Sequence, residues 1–289
     1  MMNGHTKFVG GRASGLASAL LTSALALAVL SANAAAALSA ADVVAKNAAA
    51  RGGLEAWKKI QTMAWVGRVE GAGLPPSGLP FLLDQKRPRS TRFEVIVQNQ
   101  KAIRAYDGTQ GWKLKPGGGG APDLQDYAPD ELAFARDAQV IDGPLMDDVA
   151  SGGKISFGGV DAVDGRSTYL INIALPTGTR HRIWVDAETF LEVKYERELR
   201  DEQGHSRVTA VIFRDYHDFE GLKMPVEIMS EVSAGGEQRR MFIERVALNP
   251  PLDERAFARP NLATRRHHGV TVDASSPSAD SATPTTGQP

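Results

Sequence analysis

Apolar and polar residues alternate along most of the chain, which is typical of β-strands with one buried and one exposed face. In "YLINIAL" the residues Tyr169, Ile171 and Ile173 share one face, and in "RFEVIV" Phe93 and Val95 do the same. Such runs recur about every ten residues, a spacing that favours consecutive hairpins. The pattern predicts a long antiparallel meander with one apolar face and one polar face.

Tight turns separate these runs, because dipeptides that tolerate a positive φ stand between them. They are Gln98-Asn99, Asp107-Gly108, Asp164-Gly165, Thr177-Gly178, Glu220-Gly221 and Gly235-Gly236. One of them lies in "YDGTQGW", where a phenol, a carboxylate and an indole stand close enough in sequence to suggest an active site. A hairpin turn accounts for the aspartate and both glycines without catalysis, so we interpret this stretch as a turn.

Two helices are predicted ahead of the sheet. Ser39 precedes Asp42 by three positions, the spacing at which a helix start is capped. A pair of glycines then interrupts the pattern, and Leu54, Trp57 and Ile60 recur at helical spacing. We expect this second apolar stripe to dock on the core.

A helical segment interrupts the meander between residues 127 and 153. Apolar residues recur there at i, i+4, i+7 and i+11, the spacing of one helix face. They are Phe134, Ala138, Ile141 and Leu145. Gly143-Pro144 divides the segment into two helices. We expect the segment to lie across the apolar face of the sheet as a lid that contributes Phe134, Ile141 and Leu145.

The two ends of the chain differ in composition from its middle. Residues 1–34 join a basic start, the uncharged run "LASALLTSALALAVL" and a small-x-small site, which predicts a cleaved secretory signal peptide. A membrane anchor is the alternative, but the run is shorter than the roughly 20 residues that span a bilayer. Residues 261–289 are rich in Ser, Thr, Pro and Ala and predict a disordered tail. Residues 41–260 then form one domain, located in the periplasm.

Composition and motifs exclude several classes of function. The chain has 289 residues, 42% hydrophobic and 23% charged, with a net charge of −1, so nothing favours nucleic acid as a partner. It has no cysteine, which removes disulfides, thiolate metal sites and cysteine nucleophiles. The glycine-rich "PGGGGAP" lacks the Lys-Ser/Thr of a phosphate loop, and no serine lies in a nucleophile elbow. We expect no catalytic residue, no metal and no cofactor.

One polar cluster remains as a candidate for chemistry. Asp215, His217 and Asp218 lie close together in "FRDYHDF" and could hold a metal weakly. A strand that runs into a polar turn explains them better, because three nearby polar residues are weak evidence for a site. Asp215 and His217 are the one pair that we would test for enzyme activity.

The remaining candidate site is apolar. A strongly curved sheet under a helical lid can enclose a cavity, and the alternative is a filled, dry core, since protein interiors are normally close-packed. The residues predicted to line the cavity are Met63, Trp65, Val69, Phe81, Leu83, Phe93, Val95, Val97, Trp112, Tyr169, Ile171, Ile173 and Ile183. Periodicity alone leaves both possibilities open.

Five stretches of the body, taken in order, resemble the outer-membrane lipoprotein-sorting protein family, which has the fold of the lipoprotein carrier LolA and its receptor LolB. They are "VVAKNAAARGGLEAWKKIQTMAWVGRV", "YDGTQGW", "WVDAETFLEVKYE", "FRDYHDFEGLKMPVEI" and "VALNPPLDERAFARP". The resemblance implies a half-open, strongly curved antiparallel barrel with helices as a lid over a hydrophobic cavity. It also implies an arginine that fastens the lid, for which Arg68 and Arg92 are the candidates.

The resemblance further implies a non-catalytic periplasmic carrier. Its ligands would be the acyl chains of a lipid or lipoprotein, and its partners would include inner- or outer-membrane proteins. The alternative is an envelope-stress or regulatory sensor that binds a lipid or protein and signals to a membrane partner. An enzyme is the third hypothesis, because fold alone does not settle function.

Overall fold

The computed structural model describes residues 38–117, 122–138, 141–200, 206–232 and 238–261. The predicted signal peptide at residues 1–34 lies outside these ranges, and so does the predicted tail beyond residue 261. No helix within the described ranges has both the length and the apolar character needed to cross a membrane.

The described chain consists mainly of strands. The helices are α1 (Ala40–Ala50), α2 (Leu54–Lys58), α3 (Pro129–Arg136) and α4 (Pro144–Ala150), and a 3-10 helix covers Glu254–Ala256. The strands are β1 (Thr62–Gly71), β2 (Leu79–Lys86), β3 (Ser90–Val97), β4 (Gln100–Tyr106), β5 (Gly111–Lys115), β6 (Asp123–Asp126), β7 (Lys154–Val163), β8 (Arg166–Ala174), β9 (Arg180–Asp186), β10 (Glu192–Arg200), β11 (Ser206–Phe219), β12 (Leu222–Val232) and β13 (Arg239–Leu248).

Within the described residues, thirteen strands form one antiparallel sheet in the order β6-β5-β4-β3-β2-β1-β13-β12-β11-β10-β9-β8-β7. Every neighbour except the pair β1 and β13 is also a neighbour in sequence, as a meander requires. The edges are β6 and β7, so the sheet is not closed. The chain that joins these two edges contains α3 and α4, and we call it the helical connection.

The predicted turns fall between these strands. Gln98 and Asn99 have φ values of 49° and 63°, and Asp164 has 49° ahead of Gly165 at 77°. Both pairs therefore supply the two positive φ angles that a tight hairpin needs. In "YDGTQGW", Asp107 Oδ1 accepts hydrogen bonds from the backbone N–H groups of Thr109 and Gln110 at 2.8 and 2.7 Å. That aspartate builds the β4–β5 turn, which confirms the interpretation of "YDGTQGW" as a turn.

Contacts of α3 show that the sheet curls. Arg104 on β4 donates to Glu131 at 2.9 Å, and Arg197 on β10 donates to the carbonyl oxygen of Phe134 at 2.9 Å. In a flat sheet these two strands would lie about 34 Å apart, seven spacings of about 4.8 Å. Since α3 has 8 residues and is only about 12 Å long, the strands must curve toward it.

One face of the sheet packs against the helices, and we call it the helix face. Met63 of β1 lies on it and is fully buried in a cluster with Trp57, Ile60 and Met224. Ser39 caps α1 through a capping box with Asp42, as predicted. The helices cover only part of this face, because many of its apolar residues farther along the strands are half-buried.

The joint between β1 and β13 depends on a glycine. The register shifts between Val66 and Gly67, which forms a bulge. A Cβ atom at Gly67 would lie 1.9 Å from the backbone oxygen of Phe242, a distance at which the backbone would have to move. Glycine therefore lets the two strands approach where the register shifts.

The predicted lid forms two helices, and the second begins at Pro144, as the division at Gly143-Pro144 indicated. Helix α3 ends at Arg136, and Asp137 beyond it accepts hydrogen bonds from the hydroxyl groups of Thr177 and Thr179. Phe134 is 43% exposed, whereas Ile141 and Leu145 are buried. The expectation of a shared apolar face for these three residues was wrong, because the chain leaves the helical path between them.

Candidate functional site

The structure divides the predicted lining residues into three groups. The first group is buried: Met63, Val69, Phe81, Ile171, Ile173 and Ile183 are each at most 8% exposed. The second group is half-buried: Trp65, Leu83, Phe93, Val95, Val97 and Tyr169. The third consists of Trp112, which lies on the other face. The buried group exposes almost no apolar surface to solvent, so the second group is the part of the predicted lining that offers such surface to another molecule.

Trp112 lies on the outer face of the sheet. In the register, Trp112 stands opposite Ala105. The adjacent residues Lys113 and Arg104 pair with each other, and Arg104 pairs with Phe93 on the helix face, so Trp112 points to the opposite face. Trp112 is 4% exposed, and its indole Nε1 donates to the carbonyl oxygen of Phe257 at 2.8 Å. Its prediction as a cavity residue was wrong, because the segment after β13 covers it from outside.

Four of the half-buried residues belong to a continuous surface, which we call the open apolar patch. Its predicted members are Trp65, Leu83, Phe93 and Val95, and its further members are Leu79, Val226, Ile228, Met241 and Val246. They surround a buried centre of Val69, Phe81 and Ile243. Apart from Leu79 of β2, the additional members come from β12 and β13, whose alternation is as regular as that of β1. The sequence alone did not show that β13 pairs with β1, so it could not place the β12 and β13 residues beside Trp65.

Aromatic contacts support one end of the patch. The rings of Phe81 and Phe93 lie 5.6 Å apart at a tilted angle. This spacing is favourable for aromatic pairs and fixes both rings on the helix face. On the far half of the sheet, the ring of Tyr169 stacks on Phe190 at 5.8 Å, outside the patch.

Two buried polar atoms border the patch without a partner among the described residues. They are Trp65 Nε1, a donor, and Gln85 Oε1, an acceptor. Gln85 is only 6% exposed and stands opposite Met63, one pleat from the Trp65–Leu83 pair. An unpaired buried polar atom costs about 1–3 kcal/mol, so a polar group of a bound molecule would gain by pairing with either.

Arginines tie the helical connection to the sheet, but not those that we predicted. The Arg87 guanidinium binds both carboxylate oxygens of Asp142, and it donates to the carbonyl oxygens of Ile60 and Trp57 at 2.7 and 3.2 Å. Arg51, 3% exposed, donates to the carbonyl oxygen of Asp142. These contacts hold the chain just before α4.

The two predicted arginines bind elsewhere. Arg68 donates to Glu70 at 3.0 Å and to Glu244 at 3.2 Å, and it stands on the outer face with Ala64 and Val66. Arg92 pairs with Glu94 at 2.6 Å on the same face. All of these partners lie on strands and not on the helical connection, so the prediction that Arg68 or Arg92 fastens the lid was wrong.

A buried polar chain holds α4 against β9 and β10. Asp148 Oδ2 accepts a hydrogen bond from His181 Nδ1 at 2.5 Å, and His181 Nε2 lies 3.1 Å from the hydroxyl group of Tyr195. Leu145 N–H donates to Glu192 at 3.1 Å. All of these side chains are buried, so α4 is anchored by satisfied polar contacts as well as by apolar packing.

Asp147 on α4 makes the stability of this anchor depend on pH. Burial is the main cause that raises the pKa of Asp147 to about 6; the charge of Arg89 opposes this shift, and the nearby carboxylates of Asp148 and Asp142 add to it. The folded state thus favours the protonated carboxyl group. This stabilising contribution is complete below about pH 4 and is lost as pH rises through about 6.

We expect Asp147→Asn to stabilise the protein by about 2 kcal/mol at pH 8 and to have little effect at pH 4. The figure for pH 8 is smaller than the pKa shift alone would give, because Asp147 is partly exposed and solvent screens its charge. Urea unfolding at both pH values measures this difference. Asp130→Asn, at an exposed position on α3, is the control and should change neither value. An equal gain at both pH values would contradict the assignment to ionised Asp147.

The polar candidates from the sequence do not form a developed site. His217 Nε2 lies 3.2 Å from Asp215 Oδ1, and both side chains are more than half exposed. Within the described ranges, no group of three or more His, Asp or Glu side chains is arranged to hold a metal ion. Two clefts of about 470 and 520 Å³ are lined largely by charged and hydroxyl side chains and contain no member of the open apolar patch.

The arrangement of the sheet and its helical connection has counterparts among solved structures. A LolA superfamily protein from Nitrosomonas europaea matches with a TM-score of 0.50 and 12% identity, over 77% of this chain and 98% of that chain. A DUF1329 family protein from Desulfovibrio piger matches with a TM-score of 0.50 and 14% identity, over 76% and 97%. This chain has the LolA-superfamily fold.

The resemblance predicted from the sequence is thus confirmed at the level of the fold. An outer-membrane lipoprotein-sorting protein domain from Vibrio parahaemolyticus also matches, with a TM-score of 0.40 and 12% identity, over 75% of this chain and 94% of that chain. Neither a protein-family model nor a curated protein matches the sequence. Because the identities are this low, the LolA-like fold by itself leaves the ligand of this chain open.

Proposed function

We propose that this protein is a non-catalytic carrier that binds the acyl chain of a lipid or lipoprotein on its open apolar patch. The observation that supports it is the half-buried row of Trp65, Leu83 and Phe93 beside a helical connection that covers only part of the helix face. A contiguous apolar surface at a concave site is a common mark of ligand binding. The half-open, lidded cavity implied by the resemblance is part of this proposal.

Burial of a hydrocarbon chain supplies enough free energy for such a complex. Each methylene removed from water contributes about 0.8 kcal/mol. A partly buried sixteen-carbon chain therefore gains on the order of 8–12 kcal/mol before the costs of association are subtracted. No acid, base or nucleophile is needed for this mechanism, and the patch itself offers none.

The proposed periplasmic location follows from the proposed function as an acyl-chain carrier. A carrier of acyl chains acts between membranes, and the predicted signal peptide at residues 1–34 would deliver it to the periplasm. Its partners there would be the membrane proteins that donate or accept the lipid. The fold shared with a LolA superfamily protein is consistent with this role.

Lipid content of the purified protein tests the proposal. We expect protein exported to a bacterial periplasm and purified without detergent to contain about one acyl lipid or acylated peptide per chain, measured by mass spectrometry of an organic extract. The stripped protein should then take up cis-parinaric acid, a fluorescent fatty acid. An empty extract together with no uptake of the probe would overturn the carrier proposal and favour a sensor that binds a protein partner.

A further inference from the structure

A single row of side chains across the helix face changes from apolar to cationic. In the register, Trp65 of β1 stands opposite Leu83, Leu83 opposite Phe93, Phe93 opposite Arg104, and Arg104 opposite Lys113. Paired positions share one face of a sheet and have Cβ atoms about 5 Å apart. The row therefore joins the open apolar patch directly to two cations near the β6 edge.

The lid helix places a carboxylate on these cations. Glu131 of α3 accepts hydrogen bonds from Arg104 Nη2 at 2.9 Å and from Lys113 Nζ at 2.7 Å. Its other bond is within its own helix start, from the backbone N–H of Ala128 at 2.9 Å. One carboxylate faces two cations, so this end of the row keeps an excess of positive charge.

The ionised state of Glu131 is strongly held. Burial alone would raise its pKa, but the hydrogen bonds from Lys113, the Ala128 N–H and Arg104 outweigh burial and lower the pKa to about 2. Arg104 and Lys113 therefore favour a negatively charged group between them, and at neutral pH that group is the Glu131 carboxylate.

Helix α3 can leave this position at little cost in apolar burial. It has no buried residue, and the side chain of Phe134 is 43% exposed. Its described contacts with the sheet are mainly polar: the Glu131 bonds and the donation from Arg197 to the carbonyl oxygens of Ala133 and Phe134. The Phe134 ring adds a cation–π contact, with its centroid 4.3 Å from the Arg197 guanidinium. An element with so few buried apolar contacts belongs to the readily opened parts of a structure.

We propose that the ligand is an anionic acyl lipid whose head group takes the place of Glu131 between Arg104 and Lys113. The inference rests on the proposed acyl-chain site and adds the charge of its ligand. The chain lies along Trp65, Leu83 and Phe93, and the head group reaches the cations at the end of the same row. Glu131 acts as an internal competitor, so binding of the head group releases α3 from the sheet.

A pair of probes with the same chain separates the head group from the apolar contact. They are cis-parinaric acid, which is anionic at pH 8, and its uncharged methyl ester. We expect Glu131→Gln to bind the acid about tenfold more tightly, because it removes the competing carboxylate, and to bind the ester unchanged. The double variant Arg104→Gln/Lys113→Gln should bind the acid about tenfold more weakly and the ester unchanged.

A matched control lies on the outer face. Glu196 there bridges Arg182 and Lys194, at 2.6 Å from the lysine, and thus repeats the arrangement of one carboxylate and two cations. Glu196→Gln should leave the affinities for both probes unchanged. Acid binding to the wild type should also weaken with added salt, since screening acts on the charged head group alone.

The outcomes distinguish this inference from the proposed function. If both probes bind but Glu131→Gln leaves acid affinity unchanged or lowers it, the role of Glu131 is overturned and the carrier proposal stands. If neither probe binds to the wild type, the acyl-chain site itself is overturned. Circular dichroism of each variant verifies folding, and Glu131→Gln decides the question even if the double variant does not fold.

Discussion

Replacing Arg87 with alanine should lower the free energy of unfolding by about 3 kcal/mol. Asp142 is 7% exposed, and both of its carboxylate oxygens accept hydrogen bonds from the Arg87 guanidinium. Without the arginine, the carboxylate stays buried and loses its main positive partner. Two backbone carbonyl oxygens, those of Ile60 and Trp57, lose a donor as well. Urea unfolding followed by circular dichroism measures the change.

Two further variants define the cause. Arg255→Ala removes an arginine from an exposed pair with Asp253 and should leave the free energy of unfolding nearly unchanged. In an Asp142→Ala background, Arg87→Ala should cost less than half of its value in the wild type, because the buried charge is already gone. An unchanged cost in that background would show that Arg87 acts through the carbonyl oxygens alone.

Replacing Phe93 with aspartate should weaken acyl-chain binding by about a hundredfold. Phe93 lies in the centre of the Trp65–Leu83–Phe93 row and contacts the ring of Phe81. A carboxylate there would have to lose water when an acyl chain covers it, whereas the half-buried position lets it remain hydrated in the free protein. The Kd for cis-parinaric acid, measured by fluorescence titration, reports the effect.

Ile96→Asp is the matched control for Phe93→Asp. Ile96 lies on the same strand and is also half-buried, but it points to the outer face, since it stands three positions after Phe93 and successive side chains alternate between the two faces. Its affinity should stay within about twofold of the wild type. Equal losses in the two variants would place the acyl chain somewhere other than on the helix face.

The sequence was sufficient to predict the strands and their turns because both depend on local chemistry. Alternation placed Phe93 with Val95 and Tyr169 with Ile171 correctly, and the Asn99 and Asp164 turns have the predicted backbone. These features need only neighbouring residues. The large antiparallel sheet with an open edge could therefore be inferred before any coordinates.

The two faces of the sheet could not be distinguished in the same way. On β5, the alternating apolar residues Trp112 and Leu114 form the outer row, while Lys113 lies on the helix face. Alternation shows which residues share a face, but not which face the helices cover. The Trp112 indole donates a hydrogen bond to the carbonyl oxygen of Phe257, which lies 145 positions away in the chain, and no local pattern reports such a contact.

The polar anchors of the helical connection were equally invisible in the sequence. Arg87 and Asp142 are 55 positions apart, and His181 and Asp148 are 33 positions apart. Each residue alone has the pattern of an ordinary surface charge. The tertiary fold brings each pair together. Arg68 and Arg92, the candidates named from the family resemblance, instead bind glutamates on the outer face.

The pairing of β1 with β13 sets the order in which the protein can assemble. Nearly all of the described chain lies between these strands, so β1 gains its second neighbour only when the last strand is available. Closing so large a loop early is costly, and contacts that distant in sequence form slowly. Until β13 docks, Trp65 lacks its cross-strand neighbour Val246, and the open apolar patch exposes more of its surface to water and to other chains than it does in the folded protein. The surface proposed to bind acyl chains is thus also the one that needs shielding during biogenesis.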